Sequence, residues 1–402
     1  MEKKVLFVLG DYLNGSSQNG LCIDSIKNKL LEMEIDVHIL CYQENRKHVK
    51  DTGNIFTVPK EVYKFLSIKY VINMLFHPPI VYKNTVNNYA DTISQLYAKY
   101  KYDAIVGVMN PAEAVEGVYK FKKNHKNINT ILYEIDPVSN KFIGSKNIVK
   151  LVYRKIVKMW ERKIYGTFDT IIHMKTHYKH FQNNFYQLYN NKTYYLDIPN
   201  FWPVKDICTK IRTDKLSMIY AGAFYPELRN PDYLINLVKY ISNINKVECS
   251  IYTDDRMKDH LLKLIGDNND ICLCRMIPNT ILQEKMKNVD ILLSVGNKSS
   301  EFLPSKIFTY MSLGKPIVHI LGDTNDSVIP YLKKYPLALL LDPNVTVEKN
   351  SKLLFEFIDK IDNVMISREE LIQTFYENTP LCTAQQIKKI LDNYEESYGE
   401  NE

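Results

Sequence analysis

The 402-residue sequence has no run approaching the roughly 18 uninterrupted apolar residues a membrane span needs, which speaks against a transmembrane helix. Its seven cysteines are odd in number and show no repeated spacing. A disulfide framework is therefore not expected, and a reducing cytoplasm suits the chain. Cys272 and Cys274 lie two apart, but no second pair completes a four-ligand zinc site. Neither a repeat nor a low-complexity tract is present, and outside residues 145–166 no dense basic patch is interleaved with aromatics, so solenoids and nucleic-acid binding are not expected. The net charge of +6 permits acidic substrates or an anionic membrane surface without demanding either.

What is present is ordinary for a globular protein: 45% hydrophobic and 24% charged residues, at a length that favours two domains. The opening MEKKVLFVLGDYLNG has the lysine pair and apolar run of a secretory leader, but the run is short and no small-residue cleavage site follows. It is better read as a first buried strand. Apolar runs at 5–9, 37–41, 104–108, 130–135, 170–174, 217–221, 248–252, 271–274, 291–294, 317–320 and 338–341 alternate with helical patterns. Such alternation predicts parallel sheets covered by helices on both faces, with too many strands for one sheet. The rhythm breaks at DIPNFWPVKD, residues 197–206, and resumes at Lys215, so two α/β domains should join there. Ligands of open α/β sheets bind at the carboxyl ends of the strands. After residue 350 only helices are expected, at 351–361 and 384–394.

Two loops carry the candidate chemistry. LPSKIFTYMSLGKPIV, 303–318, predicts a helix from Pro304 to Leu313, stopped by a left-handed Gly314 and followed by a buried strand. Ser305 and Lys306 would then stand at its positive end, where an anion binds. MIYAGAFYPELRNPDYLINL, 218–237, ends a strand at Gly222 and carries Arg229 to a helix capped by Asn230, with Pro231 first. Two cations at two helix starts suit a diphosphate. Alternatively, Arg229 pairs with Glu227 or Asp232 on the surface and Lys306 is merely solvated.

In order and spacing, YAGAFYPELRNPDYLI and LPSKIFTYMSLGKPIV resemble the nucleotide-sugar domain of family 4 glycosyltransferases of the GT-B fold, particularly the bacterial cell-surface polysaccharide enzymes. SSQNGLCIDSIKNKLLEMEIDVHIL is similar to that family's opening loop and helix, and the resemblance covers most of the chain. It implies two doubly wound parallel-sheet, Rossmann-like domains facing a central cleft. The acceptor-side domain would be 1–200 and the nucleotide-sugar-binding domain 201–379, with a C-terminal helix at about 380–400 a candidate to pack back on the first. The implied activity is that of a hexosyltransferase. It would be a retaining, metal-independent transfer from a nucleotide-diphosphate donor, foremost a UDP-hexose, to a growing and expectedly lipid-linked cell-surface glycan. No cofactor beyond the donor is implied, and the sequence agrees in having no Asp-x-Asp. A catalytically impaired GT-B partner subunit and a GT-B sugar-nucleotide epimerase stand as alternatives.

The same resemblance assigns roles. Gly222 would let backbone approach the donor phosphates, while Arg229 and Lys306 neutralise the leaving diphosphate. The family's paired glutamates lie eight apart, which places them at Glu301 and Thr309. Glu301 matches and would hold donor-sugar hydroxyls; Thr309 departs, offering the ribose a neutral acceptor. Asn19 and Gly20, at a helix start after the first strand, would lie near the diphosphate or acceptor, or Gly20 serves turn geometry alone. Asp136 stands nearest to a family histidine that contacts the donor sugar, or else caps a loop before Pro137. His177 and His180 lack a carboxylate in their own stretch and make a weak metal reading. Finally, 145–166 carries Leu151, Val152, Ile156, Met159, Trp160 and Ile164 near one face, with basic residues around the remainder. It is either a core helix with a solvated face or a peripheral contact with the inner face of the cell membrane.

Overall fold

The computed structural model describes residues 3–12, 18–43, 53–61, 67–140, 147–182, 185–203, 205–211, 215–298, 303–323 and 325–399. The chain forms two compact units, Met1–Pro199 with Pro380–Glu402, and Asn200–Thr379.

In the first unit the strands are β1 (Lys3–Val8), β2 (Ile35–Gln43), β3 (Ile55–Pro59), β4 (Ala104–Val108), β5 (Asn129–Glu134), β6 (Thr170–Met174) and β7 (Thr193–Leu196). All pair in parallel, in the order β3-β2-β1-β4-β5-β6-β7. β4, β5 and β6 are buried at every position, as continuous apolar runs require when helices cover both faces. Those helices are α1 (Gln18–Glu32), α2 (Ile68–Phe76), α3 (Lys83–Tyr100), α4 (Ala112–Asn124), α5 (Ile148–Thr167) and the single turn α6 (Tyr178–Phe181). The sheet order reverses between β1 and β4, so the loops leaving their carboxyl ends diverge and open a crevice.

The second unit repeats the plan with β9 (Leu216–Ala221), β10 (Val247–Thr253), β11 (Ile271–Arg275), β12 (Ile291–Val295), β13 (Ile317–Ile320) and β14 (Ala338–Leu341). Its parallel order is β11-β10-β9-β12-β13-β14, with the reversal between β9 and β12. A short antiparallel pair, β8 (Ile207–Cys208) with β15 (Met365–Ile366), ties the two ends of the unit together. The helices are α7 (Asp232–Ser242), α8 (Lys258–Ile265), α9 (Asn279–Lys287), α10 (Lys306–Ser312), α11 (Ile329–Leu332), α12 (Val347–Ile361) and α13 (Arg368–Thr374). The last helix, α14 (Pro380–Gly399), belongs to the first unit, where Asp392 takes a 2.6 Å bond from Lys3 and the Tyr394 hydroxyl donates to the Asn127 carbonyl at 3.3 Å.

Three local expectations change. The helix expected from Pro304 begins at Lys306, because Pro304 and Ser305 form a tight preceding turn whose carbonyls accept the Ile307 and Phe308 amides at 3.1 Å. Its stop is as expected: Gly314 has φ +68, and a Cβ there would lie 2.5 Å from the Ile207 side chain. The edge strands β3 and β7 are additional, as is the β8–β15 pair. In α5 the apolar residues split between two sides. Val157, Trp160, Ile164 and Tyr165 face the core, whereas Leu151, Val152, Ile156 and Met159 are exposed.

Candidate functional site

β9 ends at the switch point of the second unit, and Arg229, Gly222, Ser305, Lys306 and Thr309 all belong to loops or helices around it. After the buried run of β9, the Gly222 amide donates to the Tyr252 carbonyl at 3.0 Å, and a Cβ there would sit 3.1 Å from the Tyr220 hydroxyl. Tyr220 stacks flat on Phe224, with centroids 4.3 Å apart. Tyr225 and Arg229 then exchange backbone hydrogen bonds of 3.1 and 2.7 Å, which closes the loop and fixes where the Arg229 side chain departs. The Asn230 side chain accepts the Asp232 amide at 2.7 Å, capping α7 much as expected although Pro231 holds the cap position itself.

The Arg229 guanidinium does not turn to Glu227 or Asp232. Its Nε and Nη2 donate to Asn297 Oδ1 at 3.1 and 2.9 Å, and Nη1 to the Ala223 carbonyl at 3.4 Å. Asp232 instead holds His260 at 2.6 Å. From α10, the Lys306 amine donates to the Ala221 carbonyl at 3.2 Å, beside the Tyr310 hydroxyl at 3.1 Å on the same oxygen. Lys306 is exposed as a residue, but crowding of its amine against the Ala221 carbonyl costs it part of its hydration, and this, followed by the neighbouring Arg229 charge, lowers its pKa. Both cations thus converge on residues 221–223, and among the described residues no carboxylate lies within ion-pair distance of either. Two adjacent positive charges held by carbonyls and an amide are poised for an anion. Ser305 and Thr309 are half-buried beside them, and the Thr309 hydroxyl has no hydrogen-bond partner among the described residues. Glu301 lies outside the described residues.

Asn297, which no motif reading singled out, is buried just past β12. The loop carrying it is braced from below. Gly296 donates to Ile320 at 2.8 Å, and any Cβ at Gly296 would overlap the Asp326 carboxylate. Asp326 accepts His319 Nε2 at 3.1 Å and the Gly322 amide at 3.3 Å, and the other ring nitrogen of His319 meets Ser294 Oγ at 3.0 Å. The Lys298 amide donates to Leu228 at 2.8 Å and stitches this loop to that of Arg229. The one available signal was position: Asn297 follows the strand next to β9 at the sheet reversal.

At the first unit's switch point, the Asn19 amide nitrogen donates to the carbonyls of Met109 and Asn110 at 2.9 and 3.3 Å, joining the loop after β4 to the first turn of α1. Gly20 is buried in that turn. A cavity of about 830 Å³ opens here, lined among others by Asn19, Tyr42, Tyr70, Asn110, Lys150 and Tyr153. Gly20 and Asp136 do not line it. Asp136, half exposed, meets the buried His177 Nε2 at 3.3 Å, so that histidine has a carboxylate the local sequence did not reveal. Behind it, Glu134 accepts the Tyr165 hydroxyl at 2.7 Å and lies 2.9 Å from His173. Glu161 accepts the Ser139 amide at 2.7 Å and the Tyr186 hydroxyl at 2.8 Å. Burial pushes both glutamates up to about 7. Among the described residues no three His, Cys, Asp or Glu side chains come together to hold a metal ion.

Comparison with solved structures places the architecture. A lipopolysaccharide outer core galactosyltransferase, WaaB, in its apo form is 12% identical, covers 97% of this chain and 99% of its own, and superposes with a TM-score of 0.58. A glycosyltransferase from Rickettsia africae is 12% identical over 98% of both chains, with a TM-score of 0.59. The fold is GT-B. A UDP-GlcNAc 2-epimerase from Methanocaldococcus jannaschii, 12% identical over 97% and 99% of the two chains, superposes at 0.55, so solved proteins of different activity share this GT-B architecture. No family model matches the sequence, and no curated protein matches it.

Proposed function

We propose that the protein is a retaining glycosyltransferase, allied to family 4 and to the bacterial polysaccharide enzymes, that moves a hexosyl residue from UDP-hexose to a growing lipid-linked glycan. One observation carries this reading: Arg229 and Lys306, without a carboxylate partner among the described residues, converge on the carboxyl end of β9 at the sheet reversal. A nucleotide diphosphate supplies the missing negative charge. As the bond from the sugar's anomeric carbon to the diphosphate breaks, charge grows on the departing phosphate oxygens, and preorganised cations stabilise it where it appears. The acceptor oxygen bonds to the same face of the sugar and its proton passes to the leaving phosphate. Lys306 and Arg229 do the work that a divalent cation does elsewhere, so transfer needs no metal. Thr309 offers its hydroxyl to the ribose, and Glu301, by the resemblance, holds sugar hydroxyls. The chain acts in the cytoplasm, touching the membrane through the basic helix α5; no described helix is long and apolar enough to cross it.

Since a UDP-GlcNAc 2-epimerase shares the fold, epimerisation is the second reading. The deciding experiment is a thermal-shift screen with UDP-, GDP- and dTDP-sugars in the presence of a strong chelator, followed by product analysis with and without acceptor glycan. The proposal expects stabilisation by a UDP-sugar and acceptor-dependent transfer despite the chelator. Conversion of UDP-GlcNAc to its epimer without acceptor would establish the epimerase. Rescue by manganese after chelation would sink the metal-free account.

A further inference from the structure

The edge of the second sheet carries two thiols on one side. β11 pairs with β10 alone, and successive strand residues point to opposite faces, so Cys272 and Cys274 share a face with Ser250 and Tyr252, their register partners on β10. Cys272 is exposed and Cys274 half-buried, whereas Cys249, on the opposite face of β10, is buried. The Cys274 thiol donates to Cys272 Sγ across 3.6 Å and lies 3.7 Å from the Cys272 carbonyl. Beside the pair a cavity of about 410 Å³, lined in part by Ser250, Tyr252, Ile281 and Lys285, leaves this side of the sheet open between β10 and α9. Burial, and then the hydrogen bond to Cys272, raise the Cys274 pKa, so the free pair keeps that proton at neutral pH.

Two neighbouring thiols can join to each other or hold a third atom between them. A disulfide fits poorly. Residues two apart on a strand have Cα atoms about 6.6 Å apart, near the long limit for that bond, whose sulfurs stand about 2.05 Å apart. Closing the gap from 3.6 Å would pull β11 out of its ladder with β10. An ion between the sulfurs fits well: with metal–sulfur bonds of about 2.3 Å at a tetrahedral angle, two thiolates stand about 3.8 Å apart. We propose that Cys272 and Cys274 chelate a single thiophilic, closed-shell divalent cation of the zinc and cadmium class. Each thiol gives its proton to solvent as its sulfur bonds the ion. Water fills the remaining positions, since among the described residues no third His, Cys, Asp or Glu side chain joins the pair. Such a site exchanges its ion with solution, unlike a structural zinc closed by four protein ligands. The chelate uses none of the residues assigned to the donor, and it stands whether or not the chain transfers a sugar.

The test titrates cadmium ion into the full-length, reduced protein and reads the ultraviolet charge-transfer absorption that only a thiolate–cadmium bond gives, with zinc ion as competitor. Wild type should take up one ion per chain, and zinc should abolish the band. Cys272→Ser and Cys274→Ser should each weaken binding roughly 100-fold or more, since loss of a group that merely supports a ligand already costs about 10- to 100-fold. Cys208→Ser, at an exposed cysteine outside β11, should leave the titration unchanged. Circular dichroism and thermal unfolding check the fold of each variant. No band in wild type, or a band that survives when both Cys272 and Cys274 are serine, would overturn the proposal. Ready formation of a Cys272–Cys274 disulfide with glutathione disulfide, located by peptide mass spectrometry, would contradict the geometry that favours an ion. UDP takes no part in the readout, so failure of UDP to bind counts against the transferase reading alone.

Discussion

Asn297→Ala removes the oxygen that accepts both Nε and Nη2 of Arg229 at 3.1 and 2.9 Å. A hydrogen bond from a charged donor is worth roughly 1.5–3 kcal/mol net, but in the variant the guanidinium regains water for part of that. A loss of about 1–2 kcal/mol in diphosphate affinity should remain, roughly fivefold to thirtyfold, because the ligand must then order Arg229 itself. Asn297→Asp makes the sharper case. It preserves the geometry yet supplies a carboxylate that pairs with Arg229 and competes with the ligand, so UDP should weaken more than in the alanine variant. The assay is calorimetric titration of all three proteins with UDP and with UMP, which lacks the second phosphate. The reasoning requires the ratio of UDP to UMP affinity to fall in the order wild type, Ala, Asp. Equal weakening of both nucleotides would mean that Asn297 only supports the loop, and unchanged affinities would mean that Arg229 does not reach the diphosphate.

Thr309→Ala should weaken UDP binding by about 0.5–1.5 kcal/mol, the usual net value of one hydrogen bond, while Thr309→Glu keeps or improves it; equal affinities by titration would remove Thr309 from the ribose site. Arg229→Ala and Lys306→Ala should each slow transfer roughly 100-fold or more with little change in thermal stability, and near-normal turnover in both would place the leaving-group site elsewhere. A pH effect belongs to Glu134. Burial raises its folded carboxyl, together with that of the neighbouring Glu161, above the ordinary 4.5 to about 7, so the unfolded chain gives up these protons first as pH rises and stability falls from about 4.5 to 7. The buried His173, whose pKa is lowered by burial, slopes the opposite way, so the diagnostic is the difference between wild type and Glu134→Gln. The variant should lose less stability between pH 5 and 7.5 in thermal unfolding; identical differences would show that Glu134 keeps an ordinary pKa.

The buried strands were legible because both faces of a central parallel strand must be apolar, and IVGV in β4 or ILLSV in β12 can be little else. The edge strands were not: IFTVP ends in a proline and TYYL is half-buried throughout, so neither reads as a core run. Arg229 and Lys306 could be named because a loop leaving a strand and entering a helix has a local signature. Their meeting at residues 221–223 depends on the sheet order, which sequence does not state. Asn297 and the Asp136–His177 pair were invisible for the same reason, each being a contact across many residues of chain. On α5 the spacing of apolar residues was plain, but helical periodicity alone does not say which of two apolar sides meets the core.

The most direct test of the central claim is calorimetric titration of UDP, under a strong chelator, into wild type, Arg229→Ala and Lys306→Ala. The account predicts that wild type binds without metal and that each variant binds roughly tenfold or more weakly, as loss of one charge-assisted contact requires. Unchanged affinity in both variants, or binding that vanishes with the chelator and returns with manganese, would contradict it.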